Sequence, residues 1–263
     1  MKKIISLCLF VSLFFITPIT NAQTETDESR PFHQTENAMA DIDATLATAK
    51  AENKLALIVL GANWCHDSRG LAQRLGTEEM SSLMVDKYEL LYVDIGFYET
   101  NMGIVSRFGL PILFGTPTVL VIDPETEQLL NRDSMHKWLD AASVSLEDTK
   151  DHFTKLLNAK PIELNVEQSD RLKTLLAEIS AYEAEQTERI TKGYAVIGPL
   201  LEARVSGEGE DDTFMNYWQQ LGKMRYGLAN SLIELRSQAI RRDQAGEQNI
   251  ELVFPEYPAF TWE

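Results

Sequence analysis

A short, wholly apolar run that ends in a glycine and is followed closely by a cysteine constrains the fold of this chain more than any other feature. Residues 55–60 read Leu-Ala-Leu-Ile-Val-Leu, and Gly61 breaks the run. A continuous apolar run of this length is typical of a strand buried on both faces of a sheet. Trp64 and Cys65 come next, and leucines at helical spacing follow them. The pattern therefore predicts a buried strand that leads into a helix, with the cysteine at the junction.

The N-terminus has the pattern of an export signal. Lys2 and Lys3 precede an apolar run over 4–19, which gives way to polar residues after Ala22. The run is short for a membrane span, so we expect a signal peptide over 1–22, with an uncleaved anchor as the alternative. The mature protein is then exported, periplasmic or secreted, and we expect no membrane contact after cleavage.

The net charge and the number of cysteines limit the partners and the chemistry expected of this chain. Without the leader, 22 basic residues stand against 40 acidic ones, a net charge of −18, so nucleic acid is not an expected partner. The only cysteines are Cys8 and Cys65, and Cys8 leaves with the leader. The mature chain then cannot form an internal disulfide, and an unpaired thiol in an exported protein is either a reactive group or an intermolecular partner.

Hydrophobic patterning divides the rest of the chain. Residues 23–34 are polar and predict a flexible arm with little to bury. Residues 35–160 follow the order helix, strand, helix, strand, helix, strand, strand, helix, which is an α/β pattern. Residues 161–247 predict two long amphipathic helices in an antiparallel hairpin, and 248–263 form a tail with four aromatic residues.

Two details of the helical region are less regular. Glycines at 193 and 198 and the proline at 199 predict an interruption of the first long helix. Met215, Met224 and Tyr226, on the second long helix, are interpreted as helix-packing residues.

The segment 57–68, Leu-Ile-Val-Leu-Gly-Ala-Asn-Trp-Cys-His-Asp-Ser, resembles the strand-to-helix active site of the thioredoxin superfamily. In that family a cis-proline loop lies beside the active cysteine, and Gly115-Thr116-Pro117-Thr118 matches that loop. The resemblance covers about 35–158. It implies a thioredoxin-like three-layer α/β/α sandwich, with the C-terminal α-helical hairpin as an addition.

The chain departs from the dithiol members of that family at two positions. Ser68 replaces the second, resolving cysteine, which leaves a single-cysteine Cys-x-x-Ser motif. Val59 stands where many members carry a buried acid. A mixed disulfide on Cys65 must then wait for an external thiol.

The site residues follow from this resemblance and from the helix junction. A thiol in the first turn of a helix faces unpaired N–H groups and the positive end of the dipole, which favour the thiolate. We expect Cys65, Ser68 and His66 as catalytic residues, with Ser68 as a hydrogen-bond donor to the sulfur. Asp67 is expected to cap the helix. The expected substrate-binding residues are Trp64, Thr116 and Pro117.

No cofactor and no metal is expected, because His33, His136 and His152 show no ligand spacing with Cys65. Two functions are left open. The first is a monothiol thiol–disulfide oxidoreductase or isomerase that acts on a thiol- or disulfide-bearing protein or a small thiol. The second is a non-enzymatic interaction module, in which the helical hairpin docks a partner or a second copy of the chain.

Overall fold

The computed structural model describes residues 30–160, 169–209 and 211–263. The predicted signal peptide, residues 23–29 of the predicted arm and residues 161–168 of the predicted hairpin extension lie outside the described residues. In the described ranges, no helix combines the length and the apolar character that a membrane crossing requires.

A four-stranded mixed sheet lies at the centre of the fold, in the order β2-β1-β3-β4. β1 pairs in parallel with β2 and antiparallel with β3, and β4 is antiparallel to β3. The central position of β1 explains its uninterrupted apolar sequence, because neither face of a central strand meets water. The strands are β1 (Leu55–Gly61), β2 (Tyr88–Asp94), β3 (Thr118–Asp123) and β4 (Gln128–Leu129).

Helices cover both faces of the sheet. A kinked 3-10 segment, Arg132–Ser143, lies between β4 and the fifth helix and was not predicted from the sequence. The α-helices are α1 (Ala38–Glu52), α2 (His66–Leu75), α3 (Glu78–Lys87), α4 (Ile104–Arg107), α5 (Leu146–Leu156), α6 (Asp170–Val205) and α7 (Asp211–Gln244).

Side chains of β1 alternate between two hydrophobic clusters. Leu57 and Val59 pack with α2, α3, the 3-10 segment and α5, whereas Ile58 and Leu60 pack with α1, α4, α6 and α7. All four side chains are fully buried. The three-layer α/β/α architecture with a C-terminal helical region is therefore confirmed.

Several element boundaries differ from the sequence prediction. The apolar spacing after Cys65 predicts one helix, but α2 ends at Gly76 and α3 starts anew at Glu78. The third helix in the predicted order is short, since α4 contains only four residues. β3 begins at Thr118, directly after Pro117, because proline has no N–H to donate to a neighbouring strand.

The predicted interruption of α6 is wrong. The helix runs without a break from Asp170 to Val205 and contains Pro199. Its two glycines serve close packing instead. A Cβ atom at Gly193 would lie 2.7 Å from Leu221 Cδ1, and one at Gly198 would lie 2.7 Å from the carbonyl oxygen of Phe97. Glycine therefore lets α6 approach both α7 and the loop that follows β2.

Chain segments outside the helices and strands also contribute to the core. Phe32 falls within the predicted flexible arm, yet its ring is 2% exposed and lies 5.3 Å from the ring of Tyr92. The expectation that this arm has little to bury is wrong at Phe32, because an aromatic ring close to the sheet gains more from burial than a polar arm can. The C-terminal tail packs along the hairpin, where Tyr182 and Arg189 of α6 donate hydrogen bonds to the carbonyl oxygens of Pro255 and Pro258.

His152 makes the stability of this fold depend on pH. Its ring lies 5.0 Å from Trp138 and 5.6 Å from Phe153, and its Nε2 is buried without a hydrogen-bond partner in the described chain. Burial, together with the charges of Lys137 and Lys155, lowers the pKa of His152 from 6.5 to about 4. Between these two pH values the unfolded chain binds more protons at this residue, so acidification favours unfolding.

The free energy of unfolding of the native protein minus that of a His152→Gln variant should therefore be highest above pH 6.5. It should fall by about 1–2 kcal/mol as the pH drops toward 4, a value reduced for the partial exposure of the ring. Urea denaturation of both proteins at pH 7 and pH 4 measures this difference. Parallel pH dependence in the two proteins would contradict the assignment to His152.

Candidate active site

Cys65 stands at the junction that the sequence predicts. β1 ends at Gly61, a turn closed by the Cys65 N–H and the Ala62 carbonyl follows, and α2 begins at His66. Cys65 is the N-cap residue, with φ −80° and ψ 122°, and only 8% of its surface is exposed. Cys65 thus immediately precedes the first helical turn, but its sulfur makes no capping hydrogen bond to the N–H groups of that turn.

The loop before β3 lies against the cysteine. The Cys65 thiol donates a hydrogen bond of 3.3 Å to the Thr116 carbonyl oxygen, and the Thr116–Pro117 peptide bond is cis. Ser68 is fully buried, and its hydroxyl lies 2.9 Å from Thr116 Oγ1. The structure thus brings Cys65, Ser68, Thr116 and Pro117 together. The Ser68 hydroxyl pairs with Thr116, and not with the cysteine as expected from the sequence.

Trp64 packs inward from the same junction. Its Nε1 donates a hydrogen bond of 2.8 Å to the Gly96 carbonyl oxygen. Its ring lies 6.2 Å from the ring of Phe97, 5.6 Å from that of Tyr98 and 6.4 Å from that of Trp218. The indole therefore joins the loop after β2 to α7, and a substrate contact of Trp64 stays a prediction.

His66 and Asp67 point to different surroundings. His66 is exposed. Asp67 accepts a hydrogen bond of 2.8 Å from the backbone N–H of Ala142, in the 3-10 segment. It therefore fixes a distant segment beside α2. Asp67 also lies in the first turn of that helix, where its expected capping role stays a prediction. A Cβ atom at Gly70 would lie 3.3 Å from the Cα of Ala142, so glycine allows this close contact.

The sulfur of Cys65 lies at a pocket whose outer wall is α7. The pocket has a volume of about 360 Å³ and is lined on the cysteine side by Tyr98 and Thr116, among others. We call it the Cys65 pocket. The sequence prediction treated α7 as a separate packing element, but this helix supplies nearly half of the lining: Trp218, Gln219, Gly222, Lys223, Arg225 and Tyr226.

Arg225 is the functional candidate that sequence reasoning missed. It is 5% exposed, and its guanidinium carbon lies 5.0 Å from the ring centroid of Trp218 and 5.7 Å from those of Tyr98 and Tyr194. Its Nη1 donates a hydrogen bond of 3.1 Å to the Tyr98 hydroxyl. A signal was present, because Arg225 follows the buried Leu221 by four residues on the apolar stripe of α7.

Charge in this region is unbalanced. Burial raises the pKa of Tyr98 far above its ordinary value of 10, so the phenol that faces Arg225 is neutral. No carboxylate of the described residues lies within salt-bridge distance of the guanidinium. Arg225 also stays protonated at any ordinary pH. The Cys65 pocket therefore has a buried positive charge in its wall.

The part of the chain that the structure describes holds no group of three or more histidine, cysteine or acidic side chains arranged for a metal ion. His152 packs against the aromatic rings of Trp138 and Phe153.

Comparisons with known proteins address the fold of the first half of the chain. Residues 37–124 match a family model described as thioredoxin-like. A solved structure, the disulphide isomerase from Xylella fastidiosa Temecula1, is 27% identical and is similar over 48% of this chain and 95% of that protein, with a TM-score of 0.45. No curated protein matches the chain. Through residues 37–124, which include β1, Cys65 and the Thr116–Pro117 loop, this chain carries a thioredoxin-like domain of the thioredoxin superfamily.

Proposed function

We propose that this protein carries out thiol–disulfide exchange through Cys65 as its single nucleophile. One observation carries the proposal: the sulfur stands at the first turn of α2, 3.3 Å from the Thr116 carbonyl oxygen and beside Pro117. A helix start favours the thiolate, which is the reactive form of cysteine. The thioredoxin-like family match supports a redox role in general.

The exchange follows from the residues at the site. The Cys65 thiolate attacks one sulfur of a disulfide, the S–S bond breaks, and the other half leaves as a thiolate. Cys65 is then held in a mixed disulfide. Ser68 offers a hydroxyl where a resolving thiol would stand, so a thiolate from outside must attack the adduct, which frees Cys65 and forms a new disulfide with the departing half.

We assign the surrounding residues as follows. Thr116 and Pro117 support the substrate next to the sulfur. Ser68 fixes Thr116 through the hydrogen bond between their hydroxyl groups. His66, exposed beside the cysteine, is proposed to tune the reactivity of the sulfur, and Trp64 to shape the site. We further propose that the mature protein is exported, with the thioredoxin-like domain over 35–160 and the hairpin extension over 161–247.

A trapping experiment tests the function. The mature protein is mixed with a small aromatic disulfide, and the mass of the protein and the released thiolate are measured. One adduct per chain is expected, removed by added small thiol. A native protein that forms no adduct under non-denaturing conditions would contradict the proposal.

The Ser68→Cys variant should gain activity that the native protein lacks. We expect negligible reduction of insulin disulfides by the native protein, because no second thiol releases the mixed disulfide. A cysteine at 68 supplies that thiol one helical turn away. The insulin turbidity assay with dithiothreitol as reductant measures the gain, and Ser68→Ala, which removes the hydroxyl without adding a thiol, is the matched control. Strong turnover by the native protein would show that residue 68 is not the resolving position.

The alternative is a non-enzymatic interaction module, and the low exposure of the sulfur favours it. Cys65 is 8% exposed beneath α7, so a large partner cannot reach it without movement. In this case the hairpin docks a protein partner or a second copy. Protein partners that the native protein and Cys65→Ala capture equally would support the interaction module. Partners that are captured only when the sulfur is present, and that a reductant releases, would support exchange.

A further inference from the structure

The Cys65 pocket is more specific than a general exchange site requires. We propose that it takes a small thiol, or the disulfide of one, that carries a carboxylate, and that Arg225 binds this carboxylate. The inference rests on the proposed exchange chemistry and names the substrate class for it.

Size limits what can reach the sulfur. The pocket volume of about 360 Å³ lies near the lower end of the range for small-ligand sites, about 300–1,000 Å³. Its outer wall is the helix α7, which packs against the domain through Arg225 and Tyr226; the Tyr226 hydroxyl donates a hydrogen bond of 3.1 Å to the Leu139 carbonyl oxygen. A small thiol fits such a space, whereas a protein disulfide reaches the sulfur only if α7 moves.

Arg225 supplies the second, independent observation. Its Nε is buried and has no hydrogen-bond partner in the described ranges. Its side chain hydrogen-bonds to two phenols, Tyr98 and Tyr194, and no carboxylate among the described residues pairs with it. Both phenols are neutral because burial raises the pKa of each above its ordinary value of 10, and aromatic rings surround the rest of the guanidinium. Burial of a charge is costly unless an opposite charge and hydrogen bonds compensate it. A carboxylate provides both, since its two oxygens match the fork of a guanidinium.

The guanidinium of Arg225 and the sulfur of Cys65 both lie beside the loop that contains Gly115 and Thr116. A Cβ atom at Gly115 would lie 3.9 Å from Arg225 Nη1, and one at Gly222 would lie 3.9 Å from Nη2. Both glycines line the pocket, so neither of these two residues places a side chain between the guanidinium and the pocket. Gly115 precedes Thr116, whose carbonyl oxygen holds the Cys65 thiol. A ligand that bonds to the sulfur thus has its other end within reach of Arg225.

Asp67 and Lys223 also line the pocket and refine the ligand class. Asp67 repels a second negative charge and attracts an ammonium group. Lys223 is exposed at the mouth and adds little. The best match is therefore a small amino-acid-like thiol, with its carboxylate toward Arg225.

The covalent step needs no cofactor, because the small thiol and its disulfide supply every sulfur that reacts with Cys65. The Cys65 thiolate bonds to one sulfur of the small disulfide, and the other half leaves as a thiolate. A second molecule of the small thiol then attacks the adduct as its thiolate, so that Cys65 is freed and a small disulfide re-forms.

Three disulfides of similar size and different charge test the proposal: 3,3′-dithiodipropionate (anionic), hydroxyethyl disulfide (neutral) and cystamine (cationic). Rates of adduct formation on the native protein are measured by mass spectrometry at one pH and ionic strength. We expect the anionic disulfide to react at least about tenfold faster than the neutral one, despite the net charge of −16 on the full chain. Equal rates, or a faster neutral disulfide, would overturn the proposal.

Variants of the arginine isolate its role. Arg225→Gln should reduce the anionic-to-neutral rate ratio to about one, and Arg225→Lys should keep part of it. Lys223→Gln, which removes an exposed charge from the same helix, should change the ratio less than twofold. A uniform loss for all three disulfides in Arg225→Gln would place the arginine at the thiolate and overturn the carboxylate role. If none of them reacts with the native protein, the exchange function itself fails, whereas reaction without charge preference rejects only this inference.

Discussion

Replacement of Cys65 with serine is expected to abolish adduct formation with every disulfide. A hydroxyl at this position cannot form an S–S bond, and the mature chain has no other cysteine once the predicted leader is removed. The expected loss is complete, down to the background of the assay. Mass spectrometry of the mature protein after incubation with disulfide measures it.

The control for this variant is its stability. A serine hydroxyl can donate to the Thr116 carbonyl oxygen in place of the thiol, so the free energy of unfolding should change by less than about 1 kcal/mol. Ser68→Ala is the second control: it keeps the sulfur, so adduct formation should slow without the hydroxyl that fixes Thr116 but should not disappear. An adduct that persists on Cys65→Ser would place the reactive group elsewhere in the chain.

Replacement of Phe153 with alanine is expected to have the largest effect on stability. Its fully buried ring stacks 5.2 Å from Trp138 and lies edge-on to Tyr88, with centroids 5.7 Å apart. Truncation of a buried phenylalanine removes this contact and leaves a cavity, at a cost of about 3–5 kcal/mol. Urea denaturation followed by far-ultraviolet circular dichroism measures the free energy of unfolding.

This variant also tests whether α5 belongs to the thioredoxin-like domain, beyond the matched residues 37–124. Phe153→Leu keeps most of the volume and should cost less than the alanine variant. Asp151→Ala, at an exposed position of the same helix, should change stability by about 0.5 kcal/mol or less. If Phe153→Ala were no more harmful than Asp151→Ala, α5 would not contribute to the cooperative core.

Much of the α/β layer could be predicted because its signals are local. An apolar run of six residues predicts β1 to within one residue. Ser145 and Asp148 form the expected capping arrangement at the start of α5, where Ser145 Oγ accepts the Asp148 N–H at 3.0 Å and donates to its carboxylate. Such patterns depend on neighbours within one or two helical turns.

Elements that depend on distant contacts could not be predicted. Met135, Trp138 and Leu139 recur at helical spacing in segment 132–143, but only the positions of Phe153 and the sheet explain why Trp138 is fully buried. Gly198 and Pro199 predict a break in α6, but a glycine also permits the close approach of another chain segment. Only the position of Phe97 shows that Gly198 serves close approach.

The sequence by itself determined the reactive group and its immediate setting: one cysteine after a buried strand, a serine at the resolving position and a proline loop expected beside them. The tertiary structure alone decided what surrounds the sulfur. Arg225 lies 160 residues beyond Cys65, and its burial in an aromatic cage depends on α7 folding back over the domain. The physical reason is that the apolar stripe of a helix indicates which side chains face inward, whereas the packing of the whole chain decides which residues those side chains contact.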